Sequence, residues 1–425
     1  MIKKYHQRFN EHVYIMKLNN GMEVHLLPKD DPYYTTYVEL SLPYGALSLD
    51  YVYDGKLYQT PPGTAHFMEH KIFAMPDGDA FLKFSNLGVD ANAMTSYHQT
   101  SYVFSATDNV LPALTHLLDM LDTPHFTHEN VEQEKLIIEE ELKMYLDDPH
   151  SKMQNKLMEN MYHSHTLKHD IGGTVESIQE ISPEMLMDVY RHFYDPNERL
   201  LIISGHIDLK ALKSFFKAYD TKRKLKHQPK IILPKESKTL VKKSETVYDD
   251  IQVEKLMIGI KLDQIGRFGK ELVKREMVMT MCLNMLLGSS SKMYEQLLNQ
   301  KLINQSFYVN TTFERKAENI VIFAESKKIQ KLKNLLINYL TKDAYEDLNE
   351  EDFLRYKKVY LGQFIFALNH LETKTYLYGK YIHLKSSLFD VIDMMNSVTY
   401  DEMLSALKRI QKRKMSVLMY KKAKS

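Results

Sequence analysis

Cysteine is nearly absent: Cys282 is the one thiol in 425 residues. No intramolecular disulfide can form, and a metal site built from cysteine pairs is excluded. Cys282 falls in the apolar run Met277-Val278-Met279-Thr280-Met281-Cys282-Leu283, the setting of a packed thiol rather than a nucleophile. Excess charge of one sign is also missing. The formal net charge is +1, so no global field points to nucleic acid or to an acidic membrane. Apolar residues never run on for the ~18 positions that mark a membrane span. The N-terminal Met1-Ile2-Lys3-Lys4-Tyr5-His6 lacks the apolar region of a secretory signal. The expectation is a cytoplasmic protein with no membrane partner.

What is present fits a globular chain, with 44% hydrophobic and 26% charged residues. At this length a single core is not expected, and the chain should form two or more domains. Asn20-Gly21, set between the apolar runs Tyr14–Leu18 and Met22–Leu27, predicts a β-hairpin. Pro61-Pro62-Gly63 punctuates; Thr64 then caps a helix from Ala65 to about Met75, stopped by Pro76-Asp77-Gly78. Paired strands are expected at Asp90–Ser96 and Ser101–Ala106, and Asp108 and Thr127 should cap two further helices. From Lys217 to Lys243 the chain turns basic, with Pro229 and Pro234. Tyr219 is the one aromatic residue there, too few for base stacking, so a solvated connection is expected rather than a nucleic-acid patch. Ser182-Pro183-Glu184-Met185-Leu186 leads through a helix to the strand at Leu200–Ile203. About half the chain later, Thr399-Tyr400-Asp401-Glu402-Met403-Leu404 leads to a strand at Met415–Met419. This repetition predicts an α+β fold of two related domains, 1–222 and 247–425, joined by a basic linker at 223–246.

The chemistry concentrates in His66-Phe67-Met68-Glu69-His70. Histidines four apart lie on one face of a helix and can grip one metal ion, with Glu69 in the same turn to act on water. This is the inverted zinc motif. A third ligand has to come from elsewhere, and the acidic helix from about Val131 to Leu146 offers Glu132, Glu134, Glu139, Glu140 and Glu141. Advancing about 100° per residue from Glu134 brings Ile137, Ile138, Glu141 and Tyr145 to the same side. Glu132, Glu139 and Glu140 fall on the far side, a solvated face. Glu134 and Glu141, on an otherwise apolar stripe, need a metal or a buried cation as partner. Two imidazoles and one carboxylate would leave a fourth tetrahedral position open, with Glu134 better placed to orient a ligating histidine.

These residues resemble the pitrilysin, insulin-degrading enzyme and mitochondrial processing peptidase family of inverted-motif zinc metallopeptidases, closest to its short two-domain bacterial members. The likeness rests on His66 through Phe73, on Glu134 and Glu141, on Ala91-Asn92-Ala93-Met94-Thr95-Ser96 and on Gly173-Thr174-Val175-Glu176-Ser177-Ile178. It extends over nearly the full length. It implies one Zn2+ per chain held by His66, His70 and Glu141, with Glu69 as general base and Glu134 in support. It implies that Asn92 and Ala93 lie on an edge strand to which an extended peptide adds as a further strand, and that two domains form half of a clamshell. The activity implied is zinc-dependent endopeptidase action on extended peptides or flexible tails. One departure matters. Complete members carry an Arg and a Tyr seven apart after a G-x-S-S segment, to bind substrate and stabilise the oxyanion. Here Gly288-Ser289-Ser290-Ser291 is present, but Leu298 and Phe307 stand near those places, with Tyr308 out of step. Neither Leu298 nor Phe307 can donate a hydrogen bond. A homologous partner subunit carrying the Arg/Tyr pair is therefore expected, a heterodimer ahead of a homodimer. The alternative is a non-catalytic structural or chaperone-like subunit of the same fold.

Overall fold

The strand patterns become two main sheets in the computed structural model, which describes residues 1–29, 33–221, 227–263 and 265–423. The chain divides into two units. The first comprises Met1–Lys143, Asp170–Ile232 and Ala367–His383; the second comprises Met144–His169, Leu233–Phe366 and Leu384–Ser425.

The sheet of the first unit has seven strands in the order Ile2–His6, Glu11–Lys17, Glu23–Pro28, Leu200–Gly205, Thr36–Leu42, Thr100–Ala106, Asp90–Thr95. All neighbours are antiparallel except Glu23–Pro28 with Leu200–Gly205. The hairpin expected at Asn20-Gly21 is there, and Gly21 takes the left-handed φ of 96°. One face of the sheet, with Val24, Leu26, Val38, Leu40, Leu201 and Ile203, packs against helices through Phe67, Met68, Leu117, Ile138, Leu142 and Phe193. Burying each such side chain stabilises the fold by about 1.5–3 kcal/mol. The other face is polar, and His25, Glu39, Ser41, Ser101 and Ser204 are buried on it. Helix Leu371–His383 covers that face with matching groups. Tyr378 Oη bonds His25 Nδ1 at 2.8 Å, His383 Nε2 bonds Ser41 Oγ at 2.9 Å, and Thr375 meets Ser204 at 2.5 Å. Gly379 allows this approach, since a Cβ there would lie 3.0 Å from Ile202 Cδ1.

The second unit repeats the plan with five strands: Ser244–Asp249, Met415–Lys422, Lys255–Lys261, Ala317–Glu325, Tyr308–Glu314. In each sheet the strand latest in sequence lies between a parallel and an antiparallel neighbour, and the earlier strand of the following hairpin forms the edge. The helices leading to those late strands are capped by Ser182 and Thr399, the two positions where the sequence repeats. Helix Pro149–Met161 packs on the second sheet through Met153, Leu157 and Met161; at Gly259 a Cβ would collide with Met161 Sδ.

The units are thus not the contiguous spans 1–222 and 247–425. Each sheet has one face covered by a helix that comes from the other half of the sequence, Leu371–His383 in the first unit and Pro149–Met161 in the second. Of the basic segment 223–246, residues 223–226 lie outside the described residues. The rest contributes strand Lys230–Ile232, which pairs with Asp50–Tyr53, and the start of Ser244–Asp249. Cys282 is fully buried, as its apolar run predicts.

Candidate metal centre

The motif helix runs Thr64–Ile72, starting one residue earlier and ending three residues earlier than expected. It ends early because Ala74–Met75 turns back to pair with Gly78–Asp79. Its N-cap is Gly63, in the left-handed region at φ 93°, and the Thr64 hydroxyl donates to Pro61 O at 2.7 Å instead of capping. Gly63 and Gly173 abut, so that a Cβ on either would lie 2.5 Å from a carbonyl oxygen of the opposing loop. The helix buries Thr64, Ala65, Phe67, Met68, Lys71 and Ile72. That spacing leaves His66, Glu69 and His70 on the open side.

The long helix spans His128–Asp147, and Thr127 caps it by accepting from Asn130 N at 3.1 Å. For the preceding helix the cap is Asn109 rather than Asp108, with a left-handed φ of 57°. The buried stripe of the long helix is Val131, Lys135, Ile138 and Leu142. Ile137 and Tyr145, expected to face inward with the carboxylates, are 57% and 47% exposed. The core axis is therefore rotated from the carboxylates, and Glu134 and Glu141 stand at the border between core and open wall.

Three of the candidate side chains converge. One ligand atom each from His66, His70 and Glu141 lie within 4.8 Å of one another, the one such group of three among the described residues. Glu141 Oε2 is 3.9 Å from His66 Nε2 and 3.6 Å from His70 Nε2. Separations of this size suit three donors around a common ion at about 2 Å from each. The donor set, two imidazoles and a carboxylate, is that of a catalytic zinc site. Glu134 Oε1 lies 3.1 Å from His70 Nδ1, within reach to orient that ring. Glu134 Oε2 accepts from Lys71 Nζ at 3.3 Å.

Electrostatics follow from the same geometry. Burial, together with the neighbouring His70, lowers the His66 pKa and favours the neutral ligating form. Burial alone would lower His70 too, but the hydrogen bond and charge of Glu134, with Glu69 and Glu141, raise it. Burial pushes Glu134 up, yet His70 and Lys71 together bring it below the ordinary carboxylate range. Burial raises Glu69, partly offset by a hydrogen bond from Thr95 Oγ1 to Glu69 Oε2.

Thr95 ends the strand Asp90–Thr95, which pairs with Thr100–Ala106 on one side and forms the sheet edge on the other. Asn92 and Ala93 lie on this edge, as expected. The Ala93 N–H donates at 2.8 Å to Asn92 Oδ1 rather than to another strand. Beside them a cavity of about 620 Å³ is lined by Glu69, His70, Lys71, Asn92, Ala93 and Glu134, with Phe73, Phe81 and Ile137 as apolar wall. Sequence reasoning gave no role to Thr95 or Lys71. Only the helical period of Phe67, Met68 and Ile72 signals that Lys71 occupies a core position.

In the second unit, Ser291 caps helix Lys292–Asn299 by accepting from Tyr294 N. Leu298 is exposed on that helix, and Phe307 is buried against Tyr294. The Tyr308 hydroxyl is engaged by His150 Nε2 at 2.7 Å.

Comparison with known proteins agrees with this fold. Residues 51–175 match the insulinase family (peptidase family M16), and residues 180–360 match the peptidase M16 inactive domain. A Bacillus subtilis zinc protease, YmfH, is 34% identical over 406 residues, covering 95% of this chain and 94% of its own length. The chain belongs to the M16 peptidase family. Among solved structures, an M16-like peptidase from Alicyclobacillus acidocaldarius superposes with TM-score 0.92 at 28% identity, covering 97% of this chain and 99% of that one. A Helicobacter pylori protease shares the fold, at TM-score 0.81 and 15% identity over 96% of this chain and 99% of its own. No helix of the described residues is long and apolar enough to cross a membrane.

Proposed function

We propose that this chain is a zinc-dependent endopeptidase subunit that hydrolyses extended peptides or flexible tails. The observation that carries the reading is the convergence of His66, His70 and Glu141 beside a buried Glu69. Zinc, when bound by those three residues, supplies the Lewis acidity that makes water a nucleophile near neutral pH and polarises a peptide carbonyl. The remaining work falls to the protein. Glu69, its pKa raised towards the working range, takes the proton of the attacking water and passes it to the leaving amine. Thr95 occupies one Glu69 oxygen and leaves the other to act. An extended peptide displaces the Asn92 amide from the Ala93 N–H and pairs along the strand edge, which aligns its main chain beside Glu69. A folded protein cannot present such a segment.

Leu298, Phe307 and an engaged Tyr308 stand near the places where the resemblance expects the Arg and Tyr donors. Loss of one such donor typically costs about 10²–10³ in rate. We therefore assign those donors to a homologous partner. The test is peptide cleavage by the zinc-loaded chain, alone and with any homologue that co-purifies. The reading expects weak turnover alone and a large gain with the partner. Robust turnover alone would remove the partner, and no turnover in either case would favour a non-catalytic subunit.

A further inference from the structure

Lys71 takes no part in the chemistry above, yet its side chain is only 3% exposed on the core stripe of the motif helix. A buried ammonium is costly unless its charge and donors are matched. Here both are matched by the other ligand-bearing helix: Lys71 Nζ donates to Asn130 O at 3.1 Å and to Glu134 Oε2 at 3.3 Å. Those two acceptors lie four apart, one turn above the other. Glu134 in turn meets His70 Nδ1 through its second oxygen. The contact order is thus Asn130 and Glu134 on one helix, Lys71 on the other, then back through Glu134 to a histidine adjacent in sequence to Lys71.

We propose that Lys71 is a positioning residue for the metal centre, a strut that locks the helix carrying His66 and His70 to the helix carrying Glu141. It also holds Glu134 on His70. The proposal rests on the metal-site reading above. Two consequences follow from the geometry. With both Glu134 oxygens occupied, the carboxylate cannot rotate, so His70 keeps its Nδ1 bonded and its Nε2 towards Glu141. The charge also balances: a divalent cation, Lys71 and the three carboxylates Glu69, Glu134 and Glu141 sum to zero. One effect opposes the strut, since an ammonium near a divalent cation repels it.

Zinc affinity of the purified full-length chain, measured by competition with a chromophoric chelator, tests this without needing turnover. Lys71→Met should fold and bind zinc roughly tenfold or more weakly than wild type, the usual effect of removing an outer partner of a ligand. Glu134→Gln should lose affinity as well, and Lys71→Met/Glu134→Gln should be weaker than Glu134→Gln, but by less than Lys71→Met is weaker than wild type, because Lys71 acts partly through Glu134 and partly through Asn130; no further loss in the double variant would overturn the strut. Unchanged or tighter binding by Lys71→Met would overturn the proposal, as would a full further loss in the double variant. Should Lys71→Met fail to fold, the double variant, whose buried charges are removed together, still decides by its comparison with Glu134→Gln. A wild-type chain that takes up no zinc would instead overturn the metal site itself, and the strut with it.

Discussion

Glu69 lines the cavity and has one oxygen engaged by Thr95. Its role and that of the ligands separate by substitution. Glu69→Gln should keep zinc but lose about 10²–10⁴ in turnover, the usual weight of a general base. His70→Ala should lose zinc and turnover together; metal analysis beside a peptide assay distinguishes the two, and an active Glu69→Gln would rule out that base. Thr95→Val removes the hydroxyl at nearly constant volume. It should lower kcat by roughly tenfold, the value of a hydrogen bond to a charged group, with zinc content unchanged and Thr95→Ser close to wild type. At this scale the sequence was readable where chemistry follows local spacing. His66, Glu69 and His70 sit within five residues, so a helical period alone unites them. Thr95 and Lys71 were not readable as site residues, because their partners lie on other elements and only folding brings them together.

Two elements frame the site, and each was legible to a different depth. The edge strand is placed within a residue at each end, since Asp90–Thr95 alternates polar and apolar residues and its partner carries the β-prone run Tyr102-Val103-Phe104. The Ala93 N–H on this edge leads to a prediction. Proline there sacrifices no ladder bond, because that N–H is bound by Asn92. Ala93→Pro should therefore fold and bind zinc normally, yet lose roughly tenfold in kcat/KM on an extended peptide; unaltered kcat/KM would contradict strand addition. The long helix was read less well. Its period puts Glu134 and Glu141 on one side, as observed, but points Ile137 and Tyr145 inward with them, and both are exposed. An apolar wall beside an open site looks, in sequence, like a core stripe. The motif helix shows the same limit at its start, where Gly63 rather than Thr64 caps it because the facing Gly172-Gly173 loop admits no side chain.

At the scale of the whole molecule, the duplication was legible because its two capped helices and following strands repeat half a chain apart. The lending of one helix to each sheet was not, since no local pattern tells which of two sheets a helix will cover. The second unit carries its own electrostatic anchor. Glu236 bonds Lys261 at 2.6 Å and accepts from the backbone N–H groups of His163, Ser164 and His165. Burial would raise its pKa, but these partners bring it from an ordinary 4.5 down to about 2. A carboxyl depressed on folding stabilises the folded state fully above the ordinary value and loses that contribution as pH falls towards the depressed one. Urea unfolding of the chain should therefore show stability falling between pH 4.5 and 2, and Glu236→Gln should weaken that dependence. The same variant should lose on the order of 2–3 kcal/mol at pH 7, as a buried charged partner is left unpaired; an unchanged midpoint would contradict the anchor.

Diffraction from crystals of the zinc-loaded chain, recorded on either side of the zinc absorption edge, tests the metal centre most directly. The account predicts one anomalous peak per chain, about 2 Å from His66 Nε2, His70 Nε2 and a Glu141 oxygen. A peak elsewhere, or none with those three side chains turned apart, would contradict it.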